Sequence, residues 1–176
     1  MIGYLSHCLQ NNKTVRWADK RMPLKVYIEK LYADKEKFYT MALEAFKDWQ
    51  NSLNYPLKYK FIDSSDQADI LIYWGKPQKE YLTSHVKRIN SHNELEMIKF
   101  YVSLEDLYGK KPLYKYDIEV KSVLLHAVGA SLGLIGKSPN SKDIMHSLHI
   151  KSTLNLSFND IESINALYGC PPGTPY

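Results

Sequence analysis

No apolar run in this chain approaches the roughly 20 residues that span a bilayer, so no membrane-crossing helix is expected. Cysteine is scarce. Cys8 and Cys170 stand near opposite ends, which excludes a CxxC redox or metal motif. Two options stay open for them: one disulfide tying the termini, which would imply an oxidising compartment, or two unpaired thiols. Sequence spacing does not place their Cα atoms within bridging range or outside it. The opening "MIGYLSHCLQ" has neither a basic start nor a long apolar segment, so it is not expected to be a signal peptide. Charge of one sign is also lacking in concentration. The net charge is +4, with lysine spread along the whole chain, whereas a nucleic-acid footprint calls for a clustered basic stripe. Nucleic acid is therefore not an expected partner. Internal repeats and low-complexity tracts are missing as well.

The 176 residues are 44% hydrophobic and 24% charged, enough for one globular domain with a real core. "RMPLKVYIEK" alternates, with Leu24, Val26 and Ile28 on one face, and reads as a strand. In "DKEKFYTMALEAFKDWQNSL", Phe38, Met41, Ala42, Ala45, Phe46 and Trp49 recur at three- and four-residue steps. That is an amphipathic helix, with Asp34 as its expected N-cap. "LKYKFID" (57–63) and "ADILIYWG" (68–75) are two more strands, the second apolar throughout, as for a strand covered on both faces. Residues 76–96 read as polar and irregular and carry His85 and His92. "MIKFYVSL" (97–104) alternates again and is expected as the outer strand, and "YDIEVKSVLLHAVGASLGL" is helical. Near the end, Ser157 and Asp160 form a capping-box pattern. Ile161, Ile164, Leu167 and Tyr168 line one face of the following helix, and Gly169 suits a left-handed C′ position. Strands and helices in this order argue for an α/β sheet, with the irregular segment and last helix as a smaller lobe.

One stretch carries chemistry. Two histidines four apart on a helix can share one zinc ion. A glutamate beside the first can take a proton from the metal-bound water, and a glycine three residues after the second turns the chain toward a further ligand. "HAVGASLGLIGKSPNSKDIMH" (126–146) keeps that frame and resembles the active-site signature of the metzincin peptidases, the matrixin-like group in particular. "RWADKRMPLKVYIE" resembles that group's first strand and "LNLSFNDIESINALYG" its last helix, so the similarity runs from about Arg16 to Gly169. The resemblance implies a metzincin-like α/β (α+β) fold: a mixed, twisted sheet of four to five strands, two long helices, and a small C-terminal lobe with one helix. Residues 1–176 would be a single catalytic-type domain, about 16–133 forming the upper sheet and helix part and about 134–176 the lower part. It also implies a secreted or extracytoplasmic protein and, in the parent family, zinc.

The departures from the pattern bear on function. Placed on it, His126 is the first ligand, Ala127 stands at the general base, Ala130 at the second ligand and Lys137 at the third, while Met145 keeps the methionine turn, a packing floor in the family. Alanine has no lone pair to offer, and a lysine ammonium has three donors and no acceptor. No bound cofactor is therefore expected, and no zinc-dependent peptidase activity. His146 and His149 follow the methionine, and a site rebuilt from them and His126 would be poor by the standards of zinc geometry; these histidines, with His85 and His92, read first as surface or hydrogen-bonded residues. Lys137 reads first as a surface lysine. Two functions stay open. One is a natural pseudoenzyme that binds a peptide or protein in the groove along the outer strand at 97–104. The other is an active-site-disabled variant of a working zinc endopeptidase.

Overall fold

The protein is described by a computed structural model over residues 3–31, 35–75, 83–105, 117–146 and 155–176. Strand β1 (Leu24–Ile28) buries Leu24, Val26 and Ile28 and leaves Lys25 and Tyr27 on the other face, as the alternation predicts. Helix α1 (Glu36–Ser52) buries Phe38, Ala42, Ala45, Phe46 and Trp49, the stripe read from its periodicity; the expected N-cap, Asp34, lies outside the described residues. Then come β2 (Tyr59–Phe61), β3 (Ile70–Trp74), β4 (Thr83–Ile89), β5 (Leu95–Val102), α2 (Asp117–Ser131) and α3 (Phe158–Tyr168).

The five strands form one sheet in the order β2-β1-β3-β5-β4. The first four are parallel, and β4 runs antiparallel to β5. This is the mixed α/β sheet the sequence calls for. Two expectations need correction. The segment 76–96 is not irregular throughout, because β4 and a hairpin turn occupy its second half. Consequently the strand at 97–104 is not the outer one: β5 pairs with β3 on one side and β4 on the other, and β4 is the edge. The physical reason is that an edge strand is wetted on more sides than an inner one, so "TSHVKRI" carries charge on both faces and shows no apolar alternation. The turn chemistry was there to read. The Asn90 side-chain oxygen accepts from the backbone N–H groups of His92 (2.9 Å) and Glu94 (3.1 Å), and Asn93 sits at φ 60°, which asparagine tolerates better than most residues. The apolar run of β3 is covered on both faces only over its first half: Ile70, Leu71 and Ile72 are buried, while Tyr73 and Trp74 are half-buried.

Helices α1 and α2 pack against each other, and α2 also packs on β5. The polar tips of three buried aromatics reach α2 and the turn after it. Trp49 Nε1 donates to Leu125 O (2.9 Å), Trp17 Nε1 to Ser131 O (2.7 Å) and Tyr168 Oη to Leu132 O (3.0 Å). The last two satisfy carbonyls that a helix C-terminus leaves without partners. The helix stops at Gly133, φ 113°. There Gly133 N donates to Ala130 O (3.1 Å) and Leu134 N to Gly129 O (3.2 Å), the two bonds of a Schellman motif.

Helix α3 begins with the capping box of Ser157 and Asp160 that the sequence predicts, worth about 1 kcal/mol. Its end differs from expectation. Gly169 is right-handed (φ −74°, ψ −9°), and its N–H still donates to Asn165 O. The chain leaves the helix one residue later, at Cys170, where the following Pro171 disfavours helical geometry. The tail after it does not run straight. It turns at Gly173 (φ 79°) and pairs with the N-terminal segment, Thr14 N donating to Thr174 O (3.0 Å) and Gly173 N to Thr14 O (2.8 Å). The termini are thus joined by backbone hydrogen bonds, and Cys8 and Cys170 are both free thiols.

A side chain at Gly133 would be strained twice over. Its positive φ disfavours any L residue, and a Cβ there would lie 2.5 Å from Val15 O and 2.9 Å from a Leu167 methyl. Gly133→Ala is expected to cost about 3 kcal/mol, read as a lower midpoint of urea unfolding with an unchanged slope.

Candidate functional site

The site is built on the second half of α2. After its charged first turn that helix is apolar nearly all round, burying Val120, Val123, Leu124, Leu125, Ala127, Val128 and Ala130, as a helix must that is wrapped by core. In its second half His126 is the half-buried residue. Its Nδ1 lies 2.9 Å from Ile144 O. A carbonyl only accepts, so Nδ1 donates a proton to it. A carbonyl partner of this kind fixes ring orientation as it does for metal-bound histidines.

The Ile144 carbonyl is itself held. Residues 138–146 fold into a closed loop in which Ser138 N donates to Met145 O (2.9 Å) and His146 Nδ1 faces Ser138 O (2.8 Å). Inside it the Asp143 carboxylate accepts from Ser138 Oγ (2.5 Å), Asn140 Nδ2 (3.3 Å) and Asn159 Nδ2 (3.4 Å). Met145 is buried beneath α2, and a Cβ on Gly129 would lie 2.6 Å from its sulfur. Only glycine lets helix and methionine approach this closely.

A buried carboxylate, Asp160, organises the rest. Its Oδ2 accepts from Ile144 N (2.9 Å) and Ser157 N (2.9 Å), and its Oδ1 from Tyr4 Oη (2.6 Å) and Met145 N (3.3 Å). Tyr4 N in turn donates to Ser163 Oγ (2.7 Å). The N-terminal segment is thereby laid over α3 and against the loop after Gly133, where a Cβ on Gly136 would lie 1.7 Å from His7 O. Sequence reasoning saw Asp160 only as a helix cap and missed Tyr4, Ser138 and Asp143. The run "SPNSKD" (138–143), dense in turn-forming residues, was the available sign of a side-chain-closed turn.

Burial, then the nearby Asp160 carboxylate, pushes the Tyr4 phenol well above its ordinary range. Burial also pushes the Cys8 thiol up to about 11, against a smaller opposing hydrogen bond from the Gly136 backbone. On the edge strand, His85 packs on Phe100 with ring centroids 5.4 Å apart. Loss of water on that side, then the Lys87 ammonium, holds its imidazole below the usual histidine range, and desolvation also lowers Lys87.

The structure brings His126 and Met145 to one place and puts Ala130 on the same side of α2, one turn after His126, with Ala127 buried in the core. Lys137 is exposed, His92 lies in the β4–β5 turn and His85 on β4. His149 is outside the described residues. Among the described residues no three His, Cys, Asp or Glu side chains are grouped as metal ligands. One imidazole flanked by two alanines does not fit zinc, which takes at least three protein ligands in a catalytic site.

A parallel-sheeted domain with an antiparallel edge strand, a histidine-bearing helix ended by a left-handed glycine, a buried methionine beneath it and a capped last helix define a metallopeptidase-like architecture. The matrixin family profile matches residues 16–169, nearly the whole chain, and the protein belongs to the matrixin family. No curated protein matches it significantly. Among the described residues no helix is long and apolar enough to cross a membrane.

Three outcomes are expected. Tyr4→Phe should cost about 1.5 kcal/mol and Asp160→Ala about 3 kcal/mol in urea unfolding, since the second strands the N–H groups of Ile144 and Met145. Ellman's reagent should find two thiols in denaturant, with half-exposed Cys170 reacting first in the native protein and Cys8 slow. Folding favours the protonated Cys8 thiol, so its stabilising contribution is complete below its ordinary value of 9.0 and fades as pH rises through about 11. Melting temperature should therefore fall across that alkaline window.

Proposed function

We propose that this protein is a non-hydrolytic matrixin domain, secreted or otherwise extracytoplasmic, that binds an extended peptide or protein segment along the outer edge of β4. The observation that carries the reading is the residue set on the matrixin frame: His126 with Ala127, Ala130 and Lys137. Without a metal, water stays far too weak an acid to supply hydroxide near neutral pH, whereas bound zinc brings its pKa down to about 7. With alanine at position 127 no carboxylate is there to take its proton, a loss worth about 10²- to 10⁴-fold in rate by itself. What remains of the family's equipment is recognition. Edge strand β4 presents one side to β5 and the other away from the sheet, the geometry for adding a strand through main-chain hydrogen bonds.

A second reading has its own support. The orientation of His126 by Ile144 O and the seating of Met145 under Gly129 keep a frame that a disabled but otherwise working peptidase would also keep. Lysine at position 137 is an odd choice for a deliberate knockout and favours the first reading.

One experiment addresses both. Carboxymethylated casein, which is unfolded, is added to the native chain and to the variant carrying Ala127→Glu, Ala130→His and Lys137→His. Hydrogen exchange of the β4 amides, zinc content and casein cleavage are followed together. The native chain is expected to carry no stoichiometric zinc, to leave casein intact and to show slowed exchange at residues 83–89. Unchanged exchange there removes the binding role, and cleavage by the native chain removes the reading altogether. Gain of one zinc and of cleavage in the variant would favour the second reading.

A further inference from the structure

The sheet face turned away from α1 and α2 is the least explained surface of the molecule. Tyrosines stand on it in a row across three strands. Tyr27 on β1 lies 5.7 Å from Tyr73 on β3, and Tyr73 lies 5.9 Å from Tyr101 on β5, centroid to centroid. Leu71, flanked in register by Tyr27 and Lys99, is buried beneath them. Tyr101 and Val86 are exposed on this side. Among the described residues no helix packs on it.

Its charge is one-sided. Lys25 and Lys60 stand directly opposite each other on β1 and β2, a like-charge pairing that costs stability when nothing neutralises it. Lys99 Nζ lies 5.4 Å from the Tyr73 centroid, a cation held on the ring face. None of these three lysines has a carboxylate partner among the described residues. The acids nearby are taken: Asp69 by Arg21 at 2.9 Å, Glu96 by Arg88 at 3.1 Å, and Glu29 by the Trp74 backbone N–H at 2.9 Å. A wetted aromatic row with unneutralised cations on either side is suited to an anionic chain laid across the strands.

We propose that this face binds an acidic polysaccharide, a chain of sugar rings bearing carboxylates. Single-stranded nucleic acid is the competing polyanion, and it needs open ring faces on which bases can stack. Here the middle ring is flanked by two tyrosines and has the Lys99 ammonium over it. The rings are tilted against one another, by 51° between Tyr27 and Tyr73 and by 26° between Tyr73 and Tyr101, so the row is no flat stacking platform; sugar C–H groups need none, and the lysines suit carboxylates. At the Tyr27 end a cavity of about 490 Å³ lined by Tyr27, Glu29, Lys30 and Asp63 leaves room for a sugar ring. Repeated carboxylates on one chain engage several lysines at once, so binding is multivalent and weakens with salt. The surface is separate from the β4 edge and does not depend on the peptide-binding reading.

The test is electrophoresis of the native chain through gels containing polygalacturonate, with dextran gels as the neutral control. The native chain is retarded by polygalacturonate at low salt and not by dextran. Tyr73→Ala and Lys99→Glu each weaken retardation at least fivefold. Lys47→Glu, the same charge change on exposed α1 across the sheet, leaves it within twofold, and circular dichroism melting confirms that each variant is folded. Absence of retardation overturns the proposal. So does equal loss in Lys47→Glu, which would mean net charge alone acts, and so does tighter binding of oligothymidylate than of polygalacturonate, which would make the face a nucleic-acid surface.

Discussion

A single buried carboxylate ties together the lower half of this protein. Asp160 accepts from Tyr4 in the N-terminal segment, from Ile144 and Met145 in the loop after α2, and from its own helix start. A buried carboxylate is tolerable only when its lone pairs are used. Here each of its four donors comes from a piece of chain with no regular structure or from a helix end. The carboxylate therefore converts the cost of burying a charge into the positioning of a loop. That loop carries the Ile144 carbonyl that orients His126, and the methionine packed beneath α2. The geometry at His126 is inherited from Asp160 through two covalent neighbours.

On the proposed reading, this arrangement is how a frame can outlast its chemistry. Among the described residues, hydrogen bonds to backbone atoms and to Asp160 hold His126, Met145 and the turn at Gly133. Alanine at positions 127 and 130 adds no unpaired polar group to the core, because a methyl asks for no partner. On the proposed reading, residues of this kind leave folding largely untouched while offering no donors to a catalytic ion. On the same reading and on the further inference, recognition falls on two surfaces: the β4 edge, with its main-chain groups, and the tyrosine face, with its aromatic rings and cations. They lie on different parts of the same sheet and would recognise different chemistry.

Much of the architecture could be read along the chain. The stripe of α1, the alternation of β1 and β5, the Ser157–Asp160 cap and the turn at Gly133 are local patterns, and local sterics and burial produce them wherever the chain goes. Helix α2 was legible because Val123, Leu124, Ala127 and Val128 repeat at helical spacing. Strand β4 was not, because an edge strand facing water on most sides shows no apolar period. Gly169 was misjudged because the sequence shows a glycine after a helix and not that this glycine stays right-handed, its N–H still bonded to Asn165 O. At the site, His126 and Met145 were legible from a motif. Tyr4, Ser138 and Asp143 were not, since bonds from residue 4 to residue 160 leave no mark on sequence spacing.

By itself the sequence determined which segments become helices and strands, where α2 must stop, and which functional groups positions 126, 127, 130 and 137 can offer. These follow from side-chain chemistry and from steric limits felt within a few residues. Tertiary structure alone decided that β4 is the edge, that Asp160 commands the loop, and that three tyrosines from three strands form one row. It also decided that the termini are joined by backbone hydrogen bonds while Cys8 and Cys170 stay reduced. Each of these depends on which distant segments share a neighbourhood, and that is set by the joint burial of the whole core.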